Sequence, residues 1–207
     1  MRFDLHLDHL VVVARSLAEG VAYVEAILGA ETSPGGRHAF MGTHNRLLAL
    51  GDVYLEVIAI DPEAPKPPHR RWFNLDAYDG APRLMNWAVR TDDLDAALEA
   101  APPGSGNPRA AARGDLSWRI AVSDFGRLPF DDAVPVLLQW DGDAHPAKRL
   151  PDNDMRLLRL DVFHPDAEAL EEAFPALRKL DSIAIRKGPE KRLIATIKTA
   201  DGNRVLA

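Results

Sequence analysis

Two residues stand out because their types conflict with their surroundings. Glu56 lies in Val53-Tyr54-Leu55-Glu56-Val57-Ile58-Ala59-Ile60, a run apolar on both alternating faces. Such a run reads as a strand buried on both sides. A bare carboxylate there costs several kcal/mol unless it is protonated, paired or metal-bound. It is therefore expected either to pair with an arginine such as Arg37 or Arg46, or to serve as a ligand or acid/base group. His9 sits in Leu7-Asp8-His9-Leu10-Val11-Val12-Val13 and by simple alternation shares a face with Leu7, Val11 and Val13. A histidine so placed is either a satisfied core side chain or a ligand through its neutral nitrogen.

Further candidates lie in loops, where binding residues concentrate. His44 and Asn45 precede a strand and could face a pocket mouth, or serve turn chemistry. His69-Arg70-Arg71-Trp72-Phe73 follows a proline-rich stretch. Arg71 could hold an anionic substrate group and Trp72 could wall a cavity, or the segment could pack a linker onto the core. Trp140 reads as core or pocket lining, and His145-Pro146 as a turn or an acid/base group.

These residues need a scaffold, and the chain supplies one by repetition. A β-rich segment ends near Val13. Ser16-Leu17-Ala18-Glu19 then forms a capping box, Leu17, Val21, Val24 and Leu28 recur at helical spacing, and Gly29 can end the helix. Strand-like runs 46–50 and 53–60 flank the turn signal Gly51-Asp52. The unit reads βαβββ, with a short strand expected near Glu31 or Arg37. The pattern returns with strand 83–90, a helix capped by Asp93 and stopped by Pro102-Pro103-Gly104, and strands 118–122 and 134–140. Matching the caps Ser16 and Asp93 places His9 opposite Asn86, and matching the last strands places Glu56 opposite Gln139. A fainter third unit runs through strand 157–163, a helix capped by Asp166, and strands 182–186, 193–199 and 203–206. Arg159 holds the place of His9 there, and that unit reads as structural.

The expected divisions are 1–61 for the first module, 62–82 for a Pro-rich linker, 83–145 for the second module and 146–207 for the C-terminal unit. The expected fold class is α+β, with paired βαβββ modules forming a half-open mixed-sheet barrel beside a third βαβββ-like unit.

Composition excludes several functions. The 207 residues are 46% hydrophobic and 27% charged, which is ordinary for a folded protein. A net charge of −6, with no cluster of Lys and Arg among aromatics, argues against nucleic acid. With no cysteine there is no disulfide, thiolate ligand or thiol nucleophile. No apolar run is long enough to span a membrane, and Met1 to Asp8 carries charges where a signal peptide needs an apolar core, so a cytoplasmic location is expected. No serine-hydrolase elbow and no Walker or dinucleotide glycine pattern occurs.

Leu7-Asp8-His9-Leu10-Val11-Val12, Gly42-Thr43-His44-Asn45-Arg46-Leu47, Tyr54-Leu55-Glu56 and Gln139-Trp140 before His145-Pro146 resemble, in that order, the glyoxalase-like branch of the vicinal oxygen chelate superfamily. The resemblance implies a concave sheet holding a divalent metal, Mn, Fe, Ni or Zn, with ligands from the first and last strands of each module. Carried onto this chain, the places are His9, Glu56, Asn86 and Gln139. His9, Glu56 and Gln139 are the metal-ligand candidates, and Glu56 is also the candidate base. Asn45, Arg71, Trp72, Asn86, Trp140 and His145 are expected around the substrate. The implied activity is a metal-assisted lyase, isomerase or dioxygenase acting on a small oxygenated substrate. Asn86 and Gln139 are weak ligands, which favours the alternative of a metal-free drug- or metabolite-binding protein. The expected partner is a small molecule, with a homodimer as the expected assembly if one forms.

Overall fold

A computed structural model describes residues 3–207. Residues 1 and 2, where the charged N-terminal segment begins, lie outside the described residues. The first half contains β1 (Leu5–Val13), α1 (Leu17–Leu28), β2 (Ser33–His38), β3 (Thr43–Ala49) and β4 (Tyr54–Ile60). The second contains β5 (Arg83–Thr91), α2 (Leu94–Ala100), β6 (Asn107–Arg113), β7 (Leu116–Val122) and β8 (Val136–Trp140). The last contains β9 (Arg156–His164), α3 (Ala167–Ala173), β10 (Ile183–Lys187), β11 (Arg192–Thr199) and β12 (Gly202–Leu206).

The local signals act as their chemistry requires. The Ser16 hydroxyl accepts from the Glu19 amide at 3.3 Å, and Gly29 ends α1 at φ 71°. Asp93 accepts from the Ala96 amide at 3.0 Å at the start of α2. Asp166 precedes α3 but its side chain caps nothing; its own amide instead donates to His164 Nδ1 at 3.0 Å. The strand β6 begins at the end of the Pro/Gly-rich loop expected over 102–108 and continues through mostly exposed residues that carry no burial pattern.

The fold is α+β. The first two halves share one eight-stranded sheet of order β2-β3-β4-β1-β5-β8-β7-β6. In each half the first strand pairs parallel to the last, and β1 meets β5 antiparallel at the centre. The sheet curls until the edge strands β2 and β6 approach each other with no ladder between them, leaving a seam in a half-open barrel. The last unit has the expected element order but its own wiring, β10-β9-β11-β12, with β9 parallel to β10 and antiparallel to β11. It packs on the convex side. Leu160, Val162, Leu193, Ala195 and Phe174 join Leu5, Leu7, Leu10 and Val12 in one apolar core. Burial of this kind contributes about 25 cal/mol per Å² and holds the sheet's curvature.

The concave side has a separate core, including Val11, Val13, Ile58, Trp72, Trp118 and Leu138. Two bulges decide which side chains reach it. Leu7 pairs with Val89 and His9 with Ala88, so Asp8 is the extra residue. Val11 pairs with Asn86 and Val12 with Leu84, so Met85 is extra on the partner strand. The bulges occupy equivalent places in the two halves. A bulge breaks strict alternation and re-aims the side chains around it. His9 therefore joins Val11 and Val13 on the concave face, while Leu7 turns to the convex core with Leu10, contrary to simple alternation.

Candidate active site

The concave face encloses a cavity of about 30 Å³, lined by His9, His38, Tyr54, Glu56, Arg113 and a wall of aromatic and aliphatic side chains that includes Trp72, Trp118 and Trp140. That is room for about two water molecules, so the face is nearly filled.

β1 delivers His9 and β4 delivers Glu56; each is 6% exposed. Their facing atoms, His9 Nε2 and Glu56 Oε2, are 3.6 Å apart. Neither Arg37 nor Arg46 reaches Glu56: Arg37 pairs with Asp61 and Glu63, and Arg46 bonds Thr32. The Asn45 amide donates to Glu56 Oε1 instead.

Asp8, which residue type and spacing did not single out, sits behind His9. It is fully buried. His9 Nδ1 lies 2.6 Å from one carboxylate oxygen, while Trp140 Nε1 at 2.8 Å and His145 Nε2 at 2.9 Å donate to the other. Burial pushes the Asp8 carboxyl up, but the hydrogen bonds and charges of His145 and His9 outweigh it and hold the group well below the usual carboxylate range. An ionised Asp8 accepts from His9 Nδ1, which directs Nε2 at Glu56. A nitrogen and a carboxylate oxygen 3.6 Å apart can share a proton or a cation. On the far side, His145 Nδ1 accepts the Ala147 amide at 3.3 Å, so its proton lies on Nε2, toward Asp8.

His38 ends β2, is buried, and meets Trp72 and Trp118 edge-on at 5.2 and 6.5 Å. Burial, opposed by Glu56 and reinforced by Arg113 and His9, lowers its pKa to about 4, so it is neutral at neutral pH. Tyr54 stacks on His9 with ring centres 4.6 Å apart. Burial, with the charges of Asp8 and Glu56, keeps its phenol protonated. Phe73, beside Trp72, holds φ 55°, a left-handed conformation costly for a bulky residue, and the Asn74 amide bond to Gly126 at 2.9 Å fixes it.

Other expected residues fall elsewhere. Gln139 lies on the convex face, where its oxygen accepts the Leu94 amide at 3.1 Å and its nitrogen donates to the Asp92 carbonyl at 2.8 Å. It caps α2 and cannot reach an ion on the concave face. The register explains the error. Glu56 pairs with Val11, and the equivalent pair is Val136 with Ala88, so Val136, three positions from Gln139, holds the place of Glu56. An odd slip along a strand moves a side chain to the opposite face. Arg71 is 5% exposed and spent on Asp76 at 2.6 Å and the Met41 carbonyl at 2.9 Å, so it has no free face for a substrate. His44 borders a hollow on the α1 side. Asn86 does lie on the concave side, opposite Val11, fully buried and with neither amide atom bonded. It stays outside the cavity lining. His145 borders a neighbouring hollow with Arg90 and Lys148, behind Asp8 rather than beside Glu56.

This donor set does not fit the four-place metal centre that the resemblance implies. His9 and Glu56 are close enough to share one ion at ordinary bond lengths of about 2.0–2.2 Å. The other half offers Val136, which has no donor atom, and the amide of Asn86. Among the described residues no three His, Cys, Asp or Glu side chains converge on one ion position. No helix among them is long and apolar enough to cross a membrane.

Residues 7–178 match the family model described as a glyoxalase-like domain. No curated relative matches the sequence. Among solved structures, a hypothetical protein from Staphylococcus aureus is similar over 96% of this chain and 92% of its own, at 15% identity and a TM-score of 0.64. A mutant of 4-hydroxymandelate synthase from Streptomyces coelicolor is similar over 97% of this chain and 61% of its own, at 14% identity and a TM-score of 0.50. Methylmalonyl-CoA epimerase from Mycobacterium tuberculosis covers 67% of this chain and 88% of its own, at 18% identity and a TM-score of 0.43.

Proposed function

The chain belongs to the glyoxalase-like domain family, and on that premise we propose that its concave cavity moves a proton on a small oxygenated substrate, as a lyase or isomerase does. The observation that carries this reading is the buried pair of His9 Nε2 and Glu56 Oε2 at 3.6 Å, with the His9 tautomer set by Asp8. Glu56 takes a proton from a carbon next to a carbonyl group. The bonding electrons move onto the carbonyl oxygen, giving an enolate, and Glu56 returns the proton to the same carbon. Where that carbon bears a hydroxyl, passage of the hydroxyl proton to the enolate oxygen lets Glu56 return its proton to the former carbonyl carbon instead, and the first carbon becomes the carbonyl. His9 Nε2 faces Glu56 Oε2 and fixes its position in the cavity. Asn45 keeps the carboxylate oriented through Oε1. A positioned base of this kind contributes about 10²–10⁴-fold in rate.

A second reading is a binding protein that sequesters a drug or metabolite in the same cavity. The bare Val136 and Asn86 positions favour it.

Deuterium exchange separates the two. Protein treated with chelator is incubated in heavy water with a panel of small 2-oxo and 2-hydroxy acids, aldehydes and ketones, and carbon-bound deuterium is measured by NMR. Exchange into at least one compound, reduced about 100-fold or more in Glu56→Gln, is expected. No exchange with any compound overturns the catalytic reading. Exchange that appears only after Mn, Fe(II), Ni or Zn is added back, and is lost with either His9→Ala or Glu56→Gln, overturns its metal independence.

A further inference from the structure

Among the described residues Arg113 is the only arginine or lysine lining the concave cavity. It ends β6, one edge of the seam, and crosses to β2 on the other edge. Unlike Arg71, Arg119, Arg149 and Arg156, each engaged by a carboxylate at 2.6–2.8 Å, it has no carboxylate within 4.0 Å among the described residues. Among the described residues its one side-chain hydrogen bond runs from Nη1 to Asn45 Oδ1, at 3.3 Å. The same oxygen accepts the Gly36 amide at 2.7 Å, while the Asn45 nitrogen holds Glu56. Asn45 thus sets the spacing between the Arg113 guanidinium and the candidate base. The path of the arm is built into β2: a Cβ on Gly36 would lie 2.4 Å from Arg113 Cδ.

A half-buried guanidinium with one neutral partner keeps most of its five donors for something else. Glu56 is the one carboxylate in the cavity lining among the described residues, it is held by Asn45 and lies beyond ion-pair reach of Arg113, and a guanidinium binds a planar carboxylate through two parallel hydrogen bonds. We infer that Arg113 is the recognition residue for a carboxylate on the substrate, which makes the substrate class a small 2-oxo or 2-hydroxy acid. The carboxylate binds Arg113, and the neighbouring oxygen-bearing carbon is directed toward Glu56 and His9. This inference rests on the reading of the concave cavity as a ligand site.

The test is calorimetric titration at neutral pH with pyruvate, lactate and the neutral amide pyruvamide. Both acids are expected to bind, with pyruvamide about tenfold weaker or more. Arg113→Gln should lose about tenfold or more in acid affinity and leave the amide unchanged, and Arg113→Lys should retain part of it, since an ammonium supplies the charge without the paired donors. Gly36→Ala, which displaces the arm without altering its charge, should weaken the acids and spare the amide. Equal binding of acid and amide by the wild type, or undiminished acid binding by Arg113→Gln, overturns this role for Arg113 while leaving the cavity a ligand site. Binding of none of the three at millimolar concentration overturns both.

Discussion

Lowering the pH from neutrality toward 4 should cost the protein about 3 kcal/mol through His38 alone. The imidazole is buried between Trp72 and Trp118, Nδ1 lies 3.1 Å from the Thr43 hydroxyl, and its pKa falls from 6.5 to about 4. In the unfolded chain it takes up a proton near pH 6.5, whereas in the folded protein it resists until about pH 4. Between those values the unfolded state binds more protons, so stability falls as pH falls. The full contribution is present above the unfolded pKa. It is reduced by about 1 kcal/mol at about pH 6, about 2 at about pH 5 and about 3 at about pH 4, where the loss nears completion. Urea denaturation of the wild type and of His38→Asn across this range isolates the effect. The variant has its own stability at neutrality, but the difference between the two proteins should shift by about 2 kcal/mol toward the variant between about pH 7 and 5. A difference that stays constant with pH would mean that His38 titrates normally, and the burial argument would fail.

Two further outcomes follow from the hydrogen bonds around the site. Asp8→Asn offers one acceptor oxygen where three donors converge and turns an amide N–H toward at least one of them. It should cost about 3 kcal/mol and lower the melting temperature by about 6–12 °C, measured by calorimetry at neutral pH; a shift within about 2 °C would contradict an ionised Asp8 at the hub. Gln139→Ala frees the Leu94 amide and the Asp92 carbonyl. It should cost about 1 kcal/mol in urea denaturation and leave acid binding unchanged; loss of binding would put Gln139 back in the site.

The alternation of apolar residues, the caps at Ser16 and Asp93 and the return of the same pattern made the paired halves legible, because those signals act over neighbouring residues. His9 and Glu56 were legible for a related reason: a titratable group inside an apolar strand is costly wherever that strand packs. The rest of the site depended on partners distant in sequence. The bulge at Asp8 exists only against β5, and it is the bulge that places His9 on the concave face with Asp8 behind it. Gln139 faces the convex side because the last strands of the two halves align three positions away from the match their sequences suggest, and register is set by pairing rather than composition. Arg71 and Arg113 look alike in sequence. Asp76 claims the first, and curling of the sheet brings the second across the seam. His38 lies in a polar, glycine-rich stretch with no signal of burial until the tryptophans close over it. Local sequence determined which strands and helices form, since their energetics are short-range, while the identity of each buried charge's partner was decided only when the sheet curled and removed the alternatives.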